Sequence, residues 1–109
     1  MSMTTGLALG LLVLTVHAAA GNAARGYLKF ASAYEADCVI LQGRMRQLVN
    51  TSPDRAIEVY LYRYMGETQQ PGRRVEIVPP GGKSINLGCT HIAGGGVQDW
   101  KIIEARFQK

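Results

Sequence analysis

Residues 56–65 are the clearest β-strand in the sequence and read Ala56-Ile57-Glu58-Val59-Tyr60-Leu61-Tyr62-Arg63-Tyr64-Met65. Apolar side chains alternate along this segment with polar or aromatic ones, which is the period of a strand that buries one face. The alternation predicts that one face enters a core and carries Ile57, Val59 and Leu61. The opposite face carries Glu58 and three tyrosines, Tyr60, Tyr62 and Tyr64.

Short apolar runs lie on both sides of this strand, and turn residues separate them. Upstream, Cys38–Gln42 and Met45–Asn50 flank Gly43, which predicts one bent strand or a strand with a bulge. Downstream, two consecutive prolines at 79 and 80 must end a strand, because neither can donate to a β-ladder. The strands predicted after residue 65 are Arg73–Val78, Ser84–Cys89 and Val97–Phe107.

Strands at this spacing predict an all-β fold. We expect a small antiparallel β-sandwich of immunoglobulin-like architecture, formed by residues 38–109. Residues 21–37 leave two alternatives open. A helical face is formed by Tyr27, Leu28, Ala31 and Tyr34, whereas a strand face is formed by Leu28, Phe30 and Tyr34.

The first twenty residues contain no charged side chain. The apolar run from Gly6 to Val16 has the length of a signal-peptide core and is shorter than the about 20 residues that cross a bilayer. Small residues, Ala18-Ala19-Ala20, follow where a signal peptidase would cut. We expect residues 1–20 to be a signal peptide, and an uncleaved anchor or a core helix is the alternative. The mature chain is then periplasmic or secreted and keeps no membrane anchor.

Cys38 and Cys89 are the only cysteines in the chain. In an oxidising compartment, two cysteines in a small domain form a disulfide by default. A bridge between these positions closes a long loop and would stabilise the fold by about 4 kcal/mol through the lost entropy of the unfolded chain. Because a whole domain is stable by about 5–15 kcal/mol, we predict a structural disulfide.

The sequence motifs do not indicate catalysis, a metal or a cofactor. Gly82-Lys83-Ser84 lacks the upstream glycine of a P-loop, since that position is Ile77. Gly94-Gly95-Gly96 lacks the next glycine of a dinucleotide fingerprint, since that position is Asp99. His91 is the single histidine after the expected cleavage site, which is too few ligands for a blue-copper centre. We expect a non-enzyme with no catalytic, metal-binding or cofactor-binding residues.

The tyrosine-bearing face is the leading candidate for a binding site. Side chains on one face of a strand lie about 7 Å apart, so the three rings form one stripe. Tyrosine is enriched in recognition surfaces, although aromatic packing between neighbouring strands is the alternative explanation. We predict that Tyr60, Tyr62 and Tyr64, or the loops at 66–72 and 90–96, bind a partner protein. An inhibitor, an immunity protein or an envelope accessory protein would all fit.

Basic residues are the second candidate. The chain carries 12 basic and 8 acidic residues, for a net charge of +4. Because an exported protein seldom meets nucleic acid, an anionic envelope or glycan surface is the more sensible target. The alternative is an ordinary solvated surface of mixed charge. The residues expected to bind an anionic surface are Arg44, Arg46, Arg73 and Arg74.

Five short segments combine strand residues, turn residues and a cysteine. The segments are Val49-Asn50-Thr51-Ser52, Ile57-Glu58-Val59-Tyr60, Val78-Pro79-Pro80-Gly81-Gly82, Leu87-Gly88-Cys89-Thr90 and Trp100-Lys101-Ile102. Together they resemble a pattern in small exported bacterial proteins of unassigned function. The resemblance implies a β-sandwich in a periplasmic or secreted setting, and it assigns no catalytic or binding residue.

Overall fold

The structure is a computed structural model that describes residues 23–109, and the expected signal peptide at residues 1–20 lies outside the described residues. Strands make up most of the described chain. In chain order the strands are β1 (Leu28–Ala33), β2 (Met45–Asn50), β3 (Ile57–Met65), β4 (Thr68–Gln69), β5 (Arg74–Val78), β6 (Ser84–Cys89) and β7 (Gln98–Phe107), and helix α1 (Ala36–Ile40) lies between β1 and β2.

The strands form two antiparallel sheets. One sheet has the order β1-β2-β6. The other is built around β3, which pairs with β7 along its whole length on one side and with β5 and then β4 on the other. A bulge interrupts the β3–β7 pairing between Tyr60 and Leu61. The expected antiparallel β fold is therefore confirmed as two sheets.

The two sheets share one apolar core. Ile57, Val59 and Leu61 of β3 are fully buried, which confirms the face predicted from the alternation. Leu48 of β2 and Leu87 of β6 join them from the other sheet. The remaining buried members of the core are Ala24, Val78, Trp100 and Ala105.

Trp100 depends on a glycine in the facing sheet. The indole is 4% exposed, and a Cβ added at Gly88 of β6 would lie 2.9 Å from its Cη2 atom. Since real Cβ atoms do not approach a neighbour so closely, the absence of a side chain at this position lets the two sheets pack around the ring.

The strand predicted at Cys38–Gln42 is wrong, because Ala36–Ile40 form helix α1. A short apolar run has no period that separates a strand from a buried helical turn, so the sequence favoured the wrong element. The helix ends in a tight reversal at Gln42, whose φ is 67°. Gly43 follows with no room for a side chain, since an added Cβ would lie 2.7 Å from His91 Nδ1.

Of the two alternatives left open for residues 21–37, the strand is the one that forms at Leu28 and Phe30, whereas no helix forms over residues 27–34. Residues 23–26 are helical, and Leu28–Ala33 form β1 at the edge of the three-stranded sheet. The guanidinium of Arg25 donates to the carbonyl oxygens of Ile102 and Ile103, at 3.4 and 2.8 Å, beside the bulge in β7. These bonds fix the helical residues against β7.

The predicted disulfide is confirmed. Cys38 on α1 is bonded to Cys89 at the end of β6, with a Cα–Cα distance of 5.1 Å. A disulfide indicates an oxidising, extracytoplasmic compartment. Within residues 23–109, the structure has no helix that is both long enough and apolar enough to cross a bilayer.

Polar side chains also join the two sheets. Arg74 of β5 donates to the carbonyl oxygens of Leu87 and Asn86 on β6, at 2.7 and 3.1 Å. Asn50 at the end of β2 donates to the carbonyl oxygen of Val78 on β5, at 3.0 Å. Each of these bonds gives a partner to a backbone oxygen at the margin of the core, where leaving it unpaired is costly.

Candidate functional site

Tyr60, Tyr62 and Tyr64 lie on the face of β3 that points away from the core. All three side chains are half-buried, whereas the alternate residues Ile57 and Val59 are fully buried. The strict alternation of β3 places the rings on one side of the four-stranded sheet.

Two guanidinium groups flank Tyr60. The guanidinium carbon of Arg73 lies 4.8 Å from the ring centroid, and that of Arg106 lies 5.5 Å from it. The Tyr60 hydroxyl accepts from Arg106 Nη2 at 2.9 Å and donates to Glu58 Oε1 at 3.1 Å. The phenol ring is thus held in one orientation by cation–π contacts and by both of its hydroxyl bonds.

Tyr64 is fixed in a similar way at the far end of the stripe. Lys101 Nζ lies 4.4 Å from its ring centroid, and its hydroxyl donates to Gln69 Oε1 at 3.3 Å. Tyr62 lies between Tyr60 and Tyr64 and opposite Lys101 in the β3–β7 register. The stripe therefore has cationic side chains over its two ends.

Glu58 and Arg106 form an ion pair at one end of the stripe, with Arg106 Nη2 2.6 Å from Glu58 Oε1. The hydrogen bond from Arg106, and then that from the Tyr60 hydroxyl, hold the pKa of the Glu58 carboxyl below its ordinary value. The same carboxylate raises the pKa of Arg106. The carboxylate stays ionised and continues to fix the Tyr60 hydroxyl at mildly acidic pH.

Exposed aliphatic residues of β5 extend the aromatic area. Val75 is paired with Tyr60 and is 48% exposed, and Ile77 is paired with Glu58 and is 41% exposed. Sequence reasoning missed both, as well as Lys101 and Arg106, because only the strand register places them beside the tyrosines. We call this area the tyrosine surface, and it consists of Tyr60, Tyr62, Tyr64, Arg73, Val75, Ile77, Lys101 and Arg106.

Residues 21–37, whose structure the sequence left open, do not cover the tyrosines in the part that the structure describes. The strand of this segment, β1, pairs with β2 in the other sheet, and Tyr27 packs against Phe107 with ring centroids 6.0 Å apart. Tyr34, near the end of the segment, is 76% exposed. The described part of this segment therefore packs away from the tyrosine face, and the tyrosine rings remain partly exposed to solvent.

The four arginines expected to bind an anionic surface have different surroundings. Arg44 lies over the ring of Tyr34, and Arg73 lies over Tyr60 in the other sheet. Arg46 is paired with Asp99 at 3.2 Å, and it also lies over the ring of Phe30. Arg74 is paired with Glu76 at 3.1 Å and reaches across to β6. The charges of Arg46 and Arg74 are therefore compensated by carboxylates, and both side chains link the two sheets.

The loop at 90–96 is a tight connection between β6 and β7. His91 forms a β-bridge with Val97, and the Ile92 amide donates to the Gly96 carbonyl at 2.9 Å. His91 Nδ1 lies 3.0 Å from the hydroxyl of Thr90. Among residues 23–109, the structure has no group of three histidine, cysteine or acidic side chains arranged to hold a metal ion.

The comparisons with known proteins assign no relative to this chain: no family model, no curated protein and no solved structure matches it.

Proposed function

We propose that this chain is an exported, non-catalytic protein that binds another protein in the periplasm or outside the cell, through the tyrosine surface. The observation that carries the proposal is the composition of this surface: three half-exposed tyrosines lie beside exposed Val75 and Ile77. Tyrosine and arginine are the residue types that supply most of the binding energy in protein interfaces.

The fixed geometry of the rings supports a role in recognition. Tyr60 is held by Arg106 and Glu58, and Tyr64 is held by Lys101 and Gln69. Side chains that are already ordered lose little conformational entropy when a partner binds. Cross-strand aromatic packing alone would be served equally well by rings that are covered, whereas these remain half-exposed.

Charged side chains of both signs surround the rings. Arg73, Lys101 and Arg106 lie over them, while Glu58 is paired with Arg106 and the exposed Glu104 lies opposite Tyr60 in the β3–β7 register. A mixed pattern of this kind selects a partner that has the complementary arrangement of charges. An inhibitor, an immunity protein and an envelope accessory protein would all use such a surface.

Attachment to an anionic surface through Arg44, Arg46, Arg73 and Arg74 has less support. Arg46 and Arg74 are each paired with a carboxylate and occupied between the sheets. An exposed patch that binds anions needs basic side chains that are not already paired with carboxylates of the same protein.

We also propose immunoglobulin-like architecture for the two sheets, and the strand order supports it. The order β1-β2-β6 corresponds to strands A, B and E of that fold, and β7-β3 corresponds to F and C, with β4 and β5 at the C′ edge. The disulfide departs from that family, because Cys38 lies on α1 rather than on a core strand.

The function is tested by recovery of a partner on the oxidised mature protein from its own envelope fraction. We expect the variant Tyr60→Ser/Tyr62→Ser/Tyr64→Ser to lose the partner, with affinity reduced at least about 100-fold, because single anchor residues contribute tenfold or more each. Tyr34→Ser is the matched control, since Tyr34 is exposed and lies outside the tyrosine surface. Equal recovery by both variants would count against the proposal.

A photo-crosslinking amino acid locates the contact independently of any loss of stability. Placed at Val75, it should form a covalent adduct with the same partner, because Val75 is exposed beside Tyr60. Placed at Ile40, which is 77% exposed on α1, it should not. An adduct at Ile40 and none at Val75 would move the binding site to another part of the molecule.

A further inference from the structure

A second candidate site is a cleft of about 380 Å³ at the margin of the core, since the core residues Leu87 and Trp100 are part of its lining. Its volume is within the range of small-ligand pockets, which begins at about 300 Å³. We call it the arginine cleft. It is lined by Arg63, Pro71, Gly72, Arg73, Arg74, Leu87, Gln98 and Trp100.

The charge of the lining is one-sided. Three of the eight lining residues are arginines, and none is acidic. Arg74 is paired with Glu76, but within residues 23–109 no carboxylate lies within 4.0 Å of the Arg63 or Arg73 guanidinium. The guanidinium of Arg73 lies over Tyr60 on the opposite face of the sheet, so Arg63 and Arg74, together with Glu76, give the arginine cleft a net charge of about +1. A positive charge of this kind attracts an oxyanion such as phosphate.

Arg63 is held so that one edge of its guanidinium is available. Its Nη1 donates to Gln98 Oε1 at 3.1 Å and to Met65 Sδ at 3.3 Å. Gln98 is anchored in turn, because its Nε2 donates to the Cys89 carbonyl at 2.7 Å. Nε and Nη2 of Arg63 have no acceptor among the described residues, and this edge of a guanidinium binds two oxygens of an oxyanion at once.

The position of Arg63 is unusual for a surface charge. It follows Ile57, Val59 and Leu61 on the core side of β3 and is paired in register with Trp100. A fourth apolar residue would extend the core here, and the arginine instead lines a cleft that Leu87 of the other sheet also lines. A low-dielectric wall strengthens the attraction between an arginine and an anion.

We propose that the arginine cleft binds a phosphate monoester, with two phosphate oxygens on the Nε and Nη2 atoms of Arg63 and with Arg74 supplying further positive charge. The cleft is larger than a phosphate ion, so the group that carries the phosphate lies beside Trp100 and Pro71. This site is separate from the tyrosine surface except for Arg73, and it does not depend on the proposed function.

The experiment is a titration of the oxidised protein at constant ionic strength, followed by calorimetry and by the fluorescence of Trp100, the single tryptophan in the chain. The probes are inorganic phosphate, glycerol 3-phosphate and dimethyl phosphate. We expect saturable binding of the two dianions at concentrations below about 10 mM and weaker binding of the monoanionic diester. The absence of saturation by both methods overturns the proposal.

Two variants separate a site from general attraction to a basic protein. Arg63→Gln should weaken glycerol 3-phosphate binding at least about tenfold, because charge-assisted hydrogen bonds to phosphate are lost. Arg44→Gln removes the same charge from a residue that stacks on Tyr34 outside the cleft, and it should leave binding within about twofold of wild type. Equal losses in both variants overturn the site.

Vesicles identify the source of the phosphate. Phosphatidylcholine vesicles that contain phosphatidic acid present the monoester on a lipid, and plain phosphatidylcholine vesicles are their control. Binding of glycerol 3-phosphate without vesicle binding assigns a soluble ligand, whereas vesicle binding that Arg63→Gln abolishes assigns a lipid. Failure of every phosphate probe rejects the arginine cleft and leaves the test of the tyrosine surface unaffected.

Discussion

Asn50 is a fully buried polar side chain whose amide has all the partners it needs. Its Nδ2 donates to the carbonyl oxygens of Arg55 and Val78, and its Oδ1 accepts from the Ser52 amide. Three backbone groups in two segments thus depend on one residue. The sequence shows an asparagine before a turn but gives no sign that the turn folds over it.

Replacement of this amide by a carboxyl group tests the arrangement. Asn50→Asp should reduce the free energy of unfolding by about 3 kcal/mol at neutral pH, since a buried carboxylate would face two carbonyl oxygens. Burial raises the pKa of the new carboxyl in the folded state, so the loss should shrink as pH falls toward about 4, where the unfolded chain also binds the proton. Urea unfolding followed by Trp100 fluorescence at both pH values measures it.

Asn86→Asp is the matched control for that substitution. Asn86 is exposed, and its Oδ1 accepts from Gln47 Nε2, a role that a carboxylate keeps. Its free energy of unfolding should change by less than about 0.5 kcal/mol. A pH-independent loss in Asn50→Asp, or an equal loss in the control, would contradict the assigned hydrogen bonds.

At the scale of elements, helix α1 is five residues long and has no side-chain N-cap hydrogen bond. An isolated helix of this length is unstable in water. Val39 and Ile40 are exposed, so little apolar burial holds it, and Cys38 alone is buried. The disulfide to β6 therefore keeps α1 in place.

Loss of the disulfide should release this helix. Cys38→Ser/Cys89→Ser should reduce the free energy of unfolding by about 2–5 kcal/mol, because the bridge spans 51 positions of the chain. Hydrogen exchange should then be fast at the Val39 and Leu41 amides. The β3 amides should stay protected, and their exchange should rise only as far as the lower free energy of unfolding of the variant requires. Reduced wild-type protein is a second form that lacks the disulfide. If the α1 amides of both forms were as protected as in the oxidised wild type, that result would refute this account.

The difference between β3 and α1 shows what sequence patterns predict in this chain. Nine residues of alternating side chains define β3 almost to the residue, because a strict period of two fits one conformation. Cys38–Gln42 has no period, and its helical turn is set by a covalent bond to Cys89, far along the chain. Long-range constraints of this kind leave no local mark beyond the cysteines themselves.

For the candidate site, the sequence predicted the tyrosines and missed their neighbours. Tyr60, Tyr62 and Tyr64 follow from one strand, whereas Lys101 and Arg106 reach them only through the β3–β7 register, which a bulge shifts by one residue. Arg63 was open to prediction, because it has the same parity as Leu61. An arginine in register with core residues was the available signal for the arginine cleft.

At the scale of the whole molecule, polar bridges join the sheets where the apolar core ends. Arg74 is the largest of these, with bonds to Glu76 Oε1 and to two carbonyl oxygens of β6. The guanidinium gives partners to backbone oxygens that otherwise lie at an unpaired strand edge. The two sheets are thus joined by hydrogen bonds, which require a defined geometry, as well as by apolar packing.

Removal of this bridge should loosen one sheet from the other. Arg74→Met should reduce the free energy of unfolding by about 1–3 kcal/mol, because Glu76 and the β6 carbonyl oxygens lose their donor. Arg73→Met, one position earlier, removes only an exposed stacking contact with Tyr60 and should cost less than about 0.5 kcal/mol. Denaturant unfolding compares the two variants, and equal stabilities would show that the hydrogen bonds of Arg74 do not contribute to joining the sheets.

The bonds from Arg25 to β7 have a consequence for self-association. β7 is ten residues long, and among the described strands it pairs with β3 alone. An open edge of that length is a template to which strands of other molecules can add, and natural proteins prevent this by covering or bending the edge. The guanidinium of Arg25 occupies the carbonyl oxygens of Ile102 and Ile103 at the bulge. With these two oxygens occupied, a strand of another molecule has fewer free acceptors on this part of the β7 edge.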